Sequence, residues 1–342
     1  MLTYPPPPPI SPPSGTGPRP FWSVMIPVYN RVTYLERALR SVLSQDPGAE
    51  EMQIEVVDDA STLDDPEPLV RRLAGGRVSF VRQPRNIGPF ANFNSCIERS
   101  LGEWVHILHT DDFVLPGFYE RLQASLEGLD DVGAAFCRYT FVDDQERPLW
   151  DSELERPTSG TLPGFIEKIG LSQRIVFAAI VVRRSVYEKL GGYRTDLPYA
   201  GDWEMWTRVA AHYPVWYEPA ILATFRVHSD SCTSALVRSA RTIVDERRCI
   251  SAIRPLLPSA RADVISRKAR ELASLRALGA ACGAFAKAEF ATGFGLLVGG
   301  LKCSVSPRVI EALILLPVRI ARLGVRRVIR SASERLLPAN RV

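Results

Sequence analysis

The chain has 342 residues, 46% of them apolar, which is enough for one large domain with an appended segment or for two domains. Its net charge of +4 hides an asymmetry: residues 1–230 carry 22 Lys+Arg against 31 Asp+Glu, whereas residues 231–342 carry 20 against 7. The basic second part suits an anionic surface, membrane or nucleic acid, and six scattered cysteines, none at CxxC spacing, exclude zinc ribbons and thioredoxin-like motifs and fit a reducing compartment.

Residues 1–20 contain PPPPP and SPPSGTGPRP, a composition that favours polyproline II and buries no core, so a disordered leader is expected. It lacks the basic-then-apolar pattern of a signal peptide. Phe21–Val28 is the first strand candidate, and Asn30 after it can cap a helix carrying Val32, Leu35, Leu39, Val42 and Leu43 at helical spacing. A second strand, Gln53–Val57, ends in Asp58 and Asp59. A third, Arg77–Arg82, leads to QPRNIGPF, where Pro89 suits the first turn of a helix. The fourth, within EWVHILHTDD (103–112), is an apolar run that stops at His109, Thr110, Asp111 and Asp112. Adjacent like charges repel and need water, donors or a cation. His106 inside this strand reads as a hydrogen-bonded core histidine.

A helix (118–126) and a strand (132–139) follow. Residues 143–165 read as loop and Arg174–Arg183 as another strand. A helix opens at Gly201–Asp202, with Trp206 and Val209 inward and Arg208 toward a polar partner. Val215–Phe225 is the last strand. From about residue 235 the pattern is helical: 239–257, 262–290, a glycine-rich 292–301 with one GxxxG (Gly295, Gly299), and 308–330 with Arg319, Arg322, Arg326, Arg327 and Arg330 beside an apolar stripe. That last segment reads equally as core-covering helix or as a basic amphipathic helix on a membrane face. No apolar run reaches about 18 residues, so no transmembrane helix is expected.

Alternating strands and helices with polar strand ends predict an α/β fold whose pocket lies beyond the strand ends. VMIPVYNR (24–31), EVVDDAS (55–61), RNIGPFANFN (85–94), GEWVHILHTDD (102–112), GDWEMWTR (201–208) and RVHSDS (226–231) stand in the order found in family 2 glycosyltransferases, and the chain resembles that family over about 21–231. The resemblance implies a GT-A, Rossmann-like, mostly parallel sheet flanked by helices over 21–234, with a helical basic region over 235–342. It implies inverting, hexosyl-type transfer from a nucleotide-diphosphate sugar to a hydroxyl of a glycan or lipid-linked acceptor, in cell-surface polysaccharide synthesis, with Mn²⁺ or Mg²⁺. The expected location is cytoplasmic, at or near the membrane face.

Carried onto this sequence, the resemblance has Tyr29 stack on the base and Pro27 and Asn30 shape its loop. Asp58 and Asp59 would bond the base or ribose, and Arg85, Asn86, Gly88 and Asn92 would line the nucleotide pocket. Asp111, Asp112 and His228 would hold the metal, Arg226 the diphosphate, and Asp202 would be the general base. Two positions depart from the family pattern: His109 stands where a carboxylate is usual, and Gly201 where Glu is frequent. They leave open a site that binds nucleotide sugar without transferring it.

The chemistry agrees with these residue types. A diphosphate leaving group concentrates negative charge, and hard cations on carboxylate oxygens neutralise it. One carboxylate base suffices for an inverting transfer, whereas a glycosidase needs two opposed carboxyl groups. No GxGxxG follows the first strand and no GxxxxGK[ST] occurs, which argues against dinucleotide and P-loop folds. The basic region lacks interleaved aromatics, which argues against nucleic acid.

Overall fold

Seven consecutive buried residues, Trp22–Val28, form β1. A strand covered on both faces reads as one apolar run rather than an alternation. The structure is a computed structural model that describes residues 5–13, 17–228 and 232–323, the last span without side chains at 232–234. The chain divides into two compact units, Met1–Ile169 with Gln173–His228, and Gly170–Ser172 with Ser229–Val342.

In the first unit, α1 (Val32–Leu43) turns Leu35, Leu39 and Val42 to the core. β2 (Met52–Asp58) pairs in parallel with β1, from Trp22 opposite Met52 to Val28 opposite Asp58. After α2 (Glu67–Ala74), β3 (Ser79–Arg82) extends the parallel sheet on β2. α3 (Pro89–Arg99) starts on Pro89, which has no N–H to leave orphaned. β4 (Trp104–Ile107) then pairs in parallel with the other side of β1. The ends of β1, β2 and β4 therefore share one edge.

The rest is β5 (Phe113–Val114), α4 (Phe118–Leu126), β6 (Ala134–Val142), β7 (Pro148–Asp151), β8 (Gly160–Thr161), α5 (Phe165–Ile169), a 3-10 turn at Phe177–Ala179, β9 (Ile180–Arg183), α6 (Arg184–Leu190), α7 (Gly201–His212) and β10 (Val215–Arg226). The sheet runs β3-β2-β1-β4-β9-β6-β10-β5, with β7 on β6 and β8 on β10. The α/β class is as expected, but the second half of the sheet is mixed. β9 is antiparallel to both β4 and β6, and β10 is parallel to β6 and antiparallel to β5. The register of β10 shifts between Glu218 and Ile221, where Pro219 donates no ladder bond.

Three expectations change. Residues 143–165 are not plain loop; they carry β7, β8 and the start of α5. The strand expected over 174–183 shortens to β9 behind the 3-10 turn. The leader is ordered over 5–13: Ile10 is buried, the Gly192 N–H donates to Pro8 O (2.8 Å), and the Ser11 N–H donates to Glu98 Oε1 (3.0 Å). Arg184 donates to Ser11 O (3.0 Å). An extended proline-rich segment leaves its carbonyls unpaired within itself, so they are open to such partners.

The second unit comprises α8 (Cys232–Arg238), α9 (Arg241–Ile253), α10 (Ala262–Ala286), α11 (Phe290–Cys303) and α12 (Pro307–Ile314). Ala269, Ala273, Ala277 and Ala281 form a buried small-residue stripe along α10. The GxxxG glycines meet the start of α9: a Cβ on Gly299 would stand 2.4 Å from Ile243 Cγ2, and one on Gly295 2.9 Å from Ala240 Cβ. Among the described residues no helix is long and apolar enough to cross a membrane. Arg326, Arg327 and Arg330 lie outside the described residues.

Candidate functional site

β4 ends at Ile107, and Leu108 still donates to Met25 O (3.0 Å) before the chain leaves the sheet. A tight turn follows, closed by the Asp112 N–H on His109 O (3.2 Å). It brings a ring nitrogen of His109 and one carboxylate oxygen each of Asp111 and Asp112 within 4.8 Å of one another. His228, just past β10, sets Nε2 3.1 Å from Asp111 Oδ2 and packs against Tyr34.

The two carboxyls are driven apart electrostatically. Burial raises the Asp111 pKa, but His228 and His109 more than offset it, and the net direction is below the ordinary carboxylate value. Burial, and then the Asp111 charge, push Asp112 well above it. His109 packs against both Phe93 and Phe177, at ring distances of 4.9 and 4.4 Å. Burial lowers its pKa and favours the neutral imidazole, the form that ligates metals. Its Nε2 is buried with no hydrogen-bond partner. A neutral imidazole beside two aspartate carboxyl groups is a donor set that fits a divalent cation. The sequence offers His109 as a departure from the family pattern, and the fold sets it beside Asp111 and Asp112 as a third candidate donor. A histidine two residues before Asp111 at a strand end was the available signal.

Several expected contacts belong instead to the scaffold. The buried Arg226 guanidinium donates to Asp111 O (3.0 Å), Asp143 O (3.3 Å), Asp144 O (3.2 Å) and Glu146 Oε1 (3.0 Å). Its backbone N–H donates to Asp112 Oδ1 (2.9 Å). With its donors turned to protein acceptors, Arg226 clamps the Asp111–Asp112 turn to the 143–146 turn rather than reaching out to a diphosphate. Asp58, fully buried, accepts from Arg82 Nε (2.6 Å), the Ser61 N–H (3.0 Å) and the Ser61 hydroxyl (2.6 Å), which leaves it no access to a base or ribose. Asn92 is likewise buried, bonded to Val57 O (3.1 Å) and Gln83 (3.1 Å), and braces α3 on β2 rather than lining a pocket.

Asn30 is no helix cap. It takes φ +53°, and its Oδ1 accepts from the N–H groups of Thr62 (2.7 Å) and Leu63 (2.9 Å), tying the β1 loop to the β2 loop. Asp59 accepts from the N–H groups of Ile87 (2.8 Å) and Gly88 (3.0 Å), so it shapes the 85–88 loop; burial, opposed by those bonds, raises its pKa. Gly88 has φ +87°, a conformation that favours glycine. Pro27 is buried within β1, whereas Tyr29, Arg85 and Asn86 are exposed at the strand edge.

Asp202 sits in the first turn of α7. Its Oδ2 accepts from Gln173 Nε2 (2.5 Å) and its Oδ1 from the Trp203 N–H (2.7 Å). Trp206 of the same helix packs edge-on against Phe177 (5.5 Å), the ring that also covers His109. One aromatic thus links α7 to the β4 turn. Gly201 has a steric cause: a Cβ there would stand 2.9 Å from Phe90 Cζ and 3.2 Å from Arg194 O. Arg208 finds the expected polar partners, pairing with Glu204 (2.9 Å) and donating to the carbonyls of Leu190, Gly191 and Gly192. Gln173 and Phe177 carry no motif and were not anticipated.

An α/β sheet in order 3-2-1-4 with acidic and histidine donors at the end of its fourth strand is the arrangement of a GT-A glycosyltransferase. Residues 23–191 match the family model Glycosyl transferase family 2, and the chain belongs to that family of glycosyltransferases. It is 29% identical over 262 residues to an uncharacterized protein of Mycobacterium tuberculosis, covering 70% of this chain and 78% of that one. It is 32% identical to the succinoglycan biosynthesis protein ExoO of Rhizobium meliloti, over 42% of this chain and 41% of that protein. Among solved structures, S. aureus TarS 1–349 in complex with UDP-GlcNAc superposes with TM-score 0.62 at 16% identity, covering 91% and 92% of the two chains. A mannosyltransferase of Pyrobaculum calidifontis in complex with GDP-Man and Mn²⁺ gives TM-score 0.55 at 21% identity, covering 92% and 89%. These two likenesses concern the fold.

Proposed function

We propose that this glycosyltransferase moves a hexosyl-type sugar from a nucleotide-diphosphate donor to a hydroxyl of a glycan or lipid-linked acceptor, with inversion, in polysaccharide synthesis at the cytoplasmic face of a membrane. The His109–Asp111–Asp112 cluster beside His228 carries the reading. The complexes of the structural neighbours with UDP-GlcNAc and with GDP-Man and Mn²⁺ support a nucleotide sugar and a divalent cation. The name of the Rhizobium meliloti relative supports polysaccharide synthesis.

In this reading Tyr29 stacks on the base. Arg85, Asn86 and the Gly88 backbone border the nucleotide in a loop that Asp59 fixes, and Pro27 and Asn30 set the Tyr29 loop. Asp111, Asp112, His109 and His228 would hold Mn²⁺ or Mg²⁺, which when bound neutralises charge on the leaving diphosphate. The acceptor oxygen attacks the anomeric carbon while its proton passes to Asp202. The bond to the diphosphate oxygen breaks, and its electron pair leaves with the nucleotide. Gln173 orients the Asp202 carboxylate, and Arg226 holds the metal turn from behind.

The test is Asp202→Asn assayed with UDP, GDP and TDP sugars. Transfer should fall by about 10²–10⁴, while nucleotide binding in Mn²⁺ stays near wild type. Transfer at the wild-type rate would remove Asp202 as the base. Asp111→Ala should weaken nucleotide binding only when the cation is present; weakening that is equal without it would defeat the metal assignment.

A further inference from the structure

The helical unit contains a cavity of about 280 Å³ that the donor reading does not use. It opens where the turn after α9, the first half of α10 and the end of α11 converge. Asp263, Ser266, Arg267 and Arg270 line it from α10 at spacings of three, four and seven, which puts them on one helix face. Arg254 and Cys303 close the other sides. Three guanidinium groups face one carboxylate, so the lining is cationic.

The groups are built to different degrees. Arg270 is positioned by a bond to the Ser251 hydroxyl (2.8 Å). Arg254 places Nε and Nη2 on a single oxygen of Asp263 (3.0 and 2.6 Å), but the Asp263 side chain is 81% exposed. An exposed pair of this kind is weak, so a doubly charged oxyanion can displace it. Arg267 is exposed and has no ion-pair or hydrogen-bond partner among the described residues.

We infer that this cavity binds a phosphate-bearing group, a mono- or diphosphate, with Arg254, Arg267 and Arg270 on its oxygens. Guanidinium forks match the paired oxygens of a phosphate and make strong charge-assisted bonds. The inference stands apart from the donor-site reading, because none of these residues belongs to that site.

The experiment is calorimetric titration of the full chain with inorganic pyrophosphate in EDTA, which removes cation-dependent binding at the donor site. Arg267→Glu should weaken pyrophosphate binding by about tenfold or more. Its melting temperature and its Mn²⁺-dependent nucleotide binding should stay unchanged. Lys268→Glu, the same charge reversal on the next, exposed residue of α10 outside the cavity, should leave pyrophosphate binding near wild type, and a loss equal to that of Arg267→Glu would reduce the binding to general attraction and overturn the inference. Equal binding by wild type and Arg267→Glu, or no binding by wild type, would overturn the inference. A second arm uses phosphatidylcholine vesicles doped with phosphatidic acid. If Arg267→Glu loses both pyrophosphate and vesicles, the phosphate belongs to a lipid headgroup; if it loses pyrophosphate alone, the ligand is soluble. Either result supports the site.

Discussion

His106 and His109 lie three residues apart, and their surroundings give them opposite work. The His106 Nε2 faces Ala178 O (3.2 Å), so that nitrogen carries the proton; Nδ1 then accepts from the Tyr119 hydroxyl (3.0 Å). Full burial lowers its pKa to about 3. His109 keeps its Nε2 without a hydrogen-bond partner among the described residues, and a ring nitrogen lies within 4.8 Å of oxygens of Asp111 and Asp112. The first is a core residue, as its apolar strand indicated; the second is a ligand candidate. A pH dependence follows for His106. The unfolded chain takes up its proton near pH 6.5 and the folded chain near 3, so this stability is complete above about 6.5 and is lost as pH falls toward 3. Urea unfolding below pH 6.5 should show a slope of about 1.4 kcal/mol per pH unit from this residue. His106→Gln, which does not titrate, should flatten the profile by that amount; an unchanged slope would mean the folded protein protonates His106 readily. At this scale the sequence shows chemical types but not partners. Asp111 and Asp58 look alike as strand-end carboxylates, yet Asp58 is enclosed by Arg82 and Ser61, whereas Asp111 meets a histidine from the far end of the sheet.

Elements were legible where burial imposes a period. β1, β2 and β4 are apolar runs with polar ends, and α4 occupies the expected residues 118–126. β7 was not legible: all four of its residues are exposed, so the strand exists through its backbone pairing with β6 and leaves no alternation to read. The ordered leader escaped for a similar reason, since its bonds run through backbone carbonyls and one buried Ile10. Helix contacts in the second unit make a paired prediction. A Cβ on Gly279 of α10 meets nothing within 4 Å, while one on Gly299 of α11 meets Ile243 Cγ2 at 2.4 Å. Gly279→Ala should therefore stabilise by about 0.5–1 kcal/mol through helix propensity. Gly299→Ala should destabilise by about 1–3 kcal/mol through overpacking, and Ile243→Ala should relieve part of that in the double variant. Thermal melts of the four proteins decide it; equal gains at both glycines would mean that α9 and α11 are not in close contact.

Across the whole molecule, the contacts that make the site join positions far apart in the chain: Asn30 with Thr62, Asp59 with Gly88, Asp111 with His228. Six motifs in order pointed to that convergence without saying which side chain meets which. Charge is the one property on this scale that the sequence gives in full. The excess of 20 basic over 7 acidic residues after position 230 opposes the acidic excess before it. Near an anionic bilayer, each Lys or Arg at the surface contributes about 1 kcal/mol, and the field decays over a Debye length of about 10 Å at 0.1 M salt and about 3 Å at 1 M. Phe290, Phe294 and Val298 are exposed four residues apart on α11 and would add an apolar contact that salt does not screen. The full chain should therefore co-sediment with phosphatidylglycerol vesicles at low salt and not with phosphatidylcholine vesicles. Binding should drop steeply as salt rises toward about 1 M, and removing residues 308–342 should weaken it at low salt. Sedimentation independent of both salt and lipid charge would reduce the basic excess to a solvated surface, and binding that survives the truncation would shift the contact to the helices before residue 308.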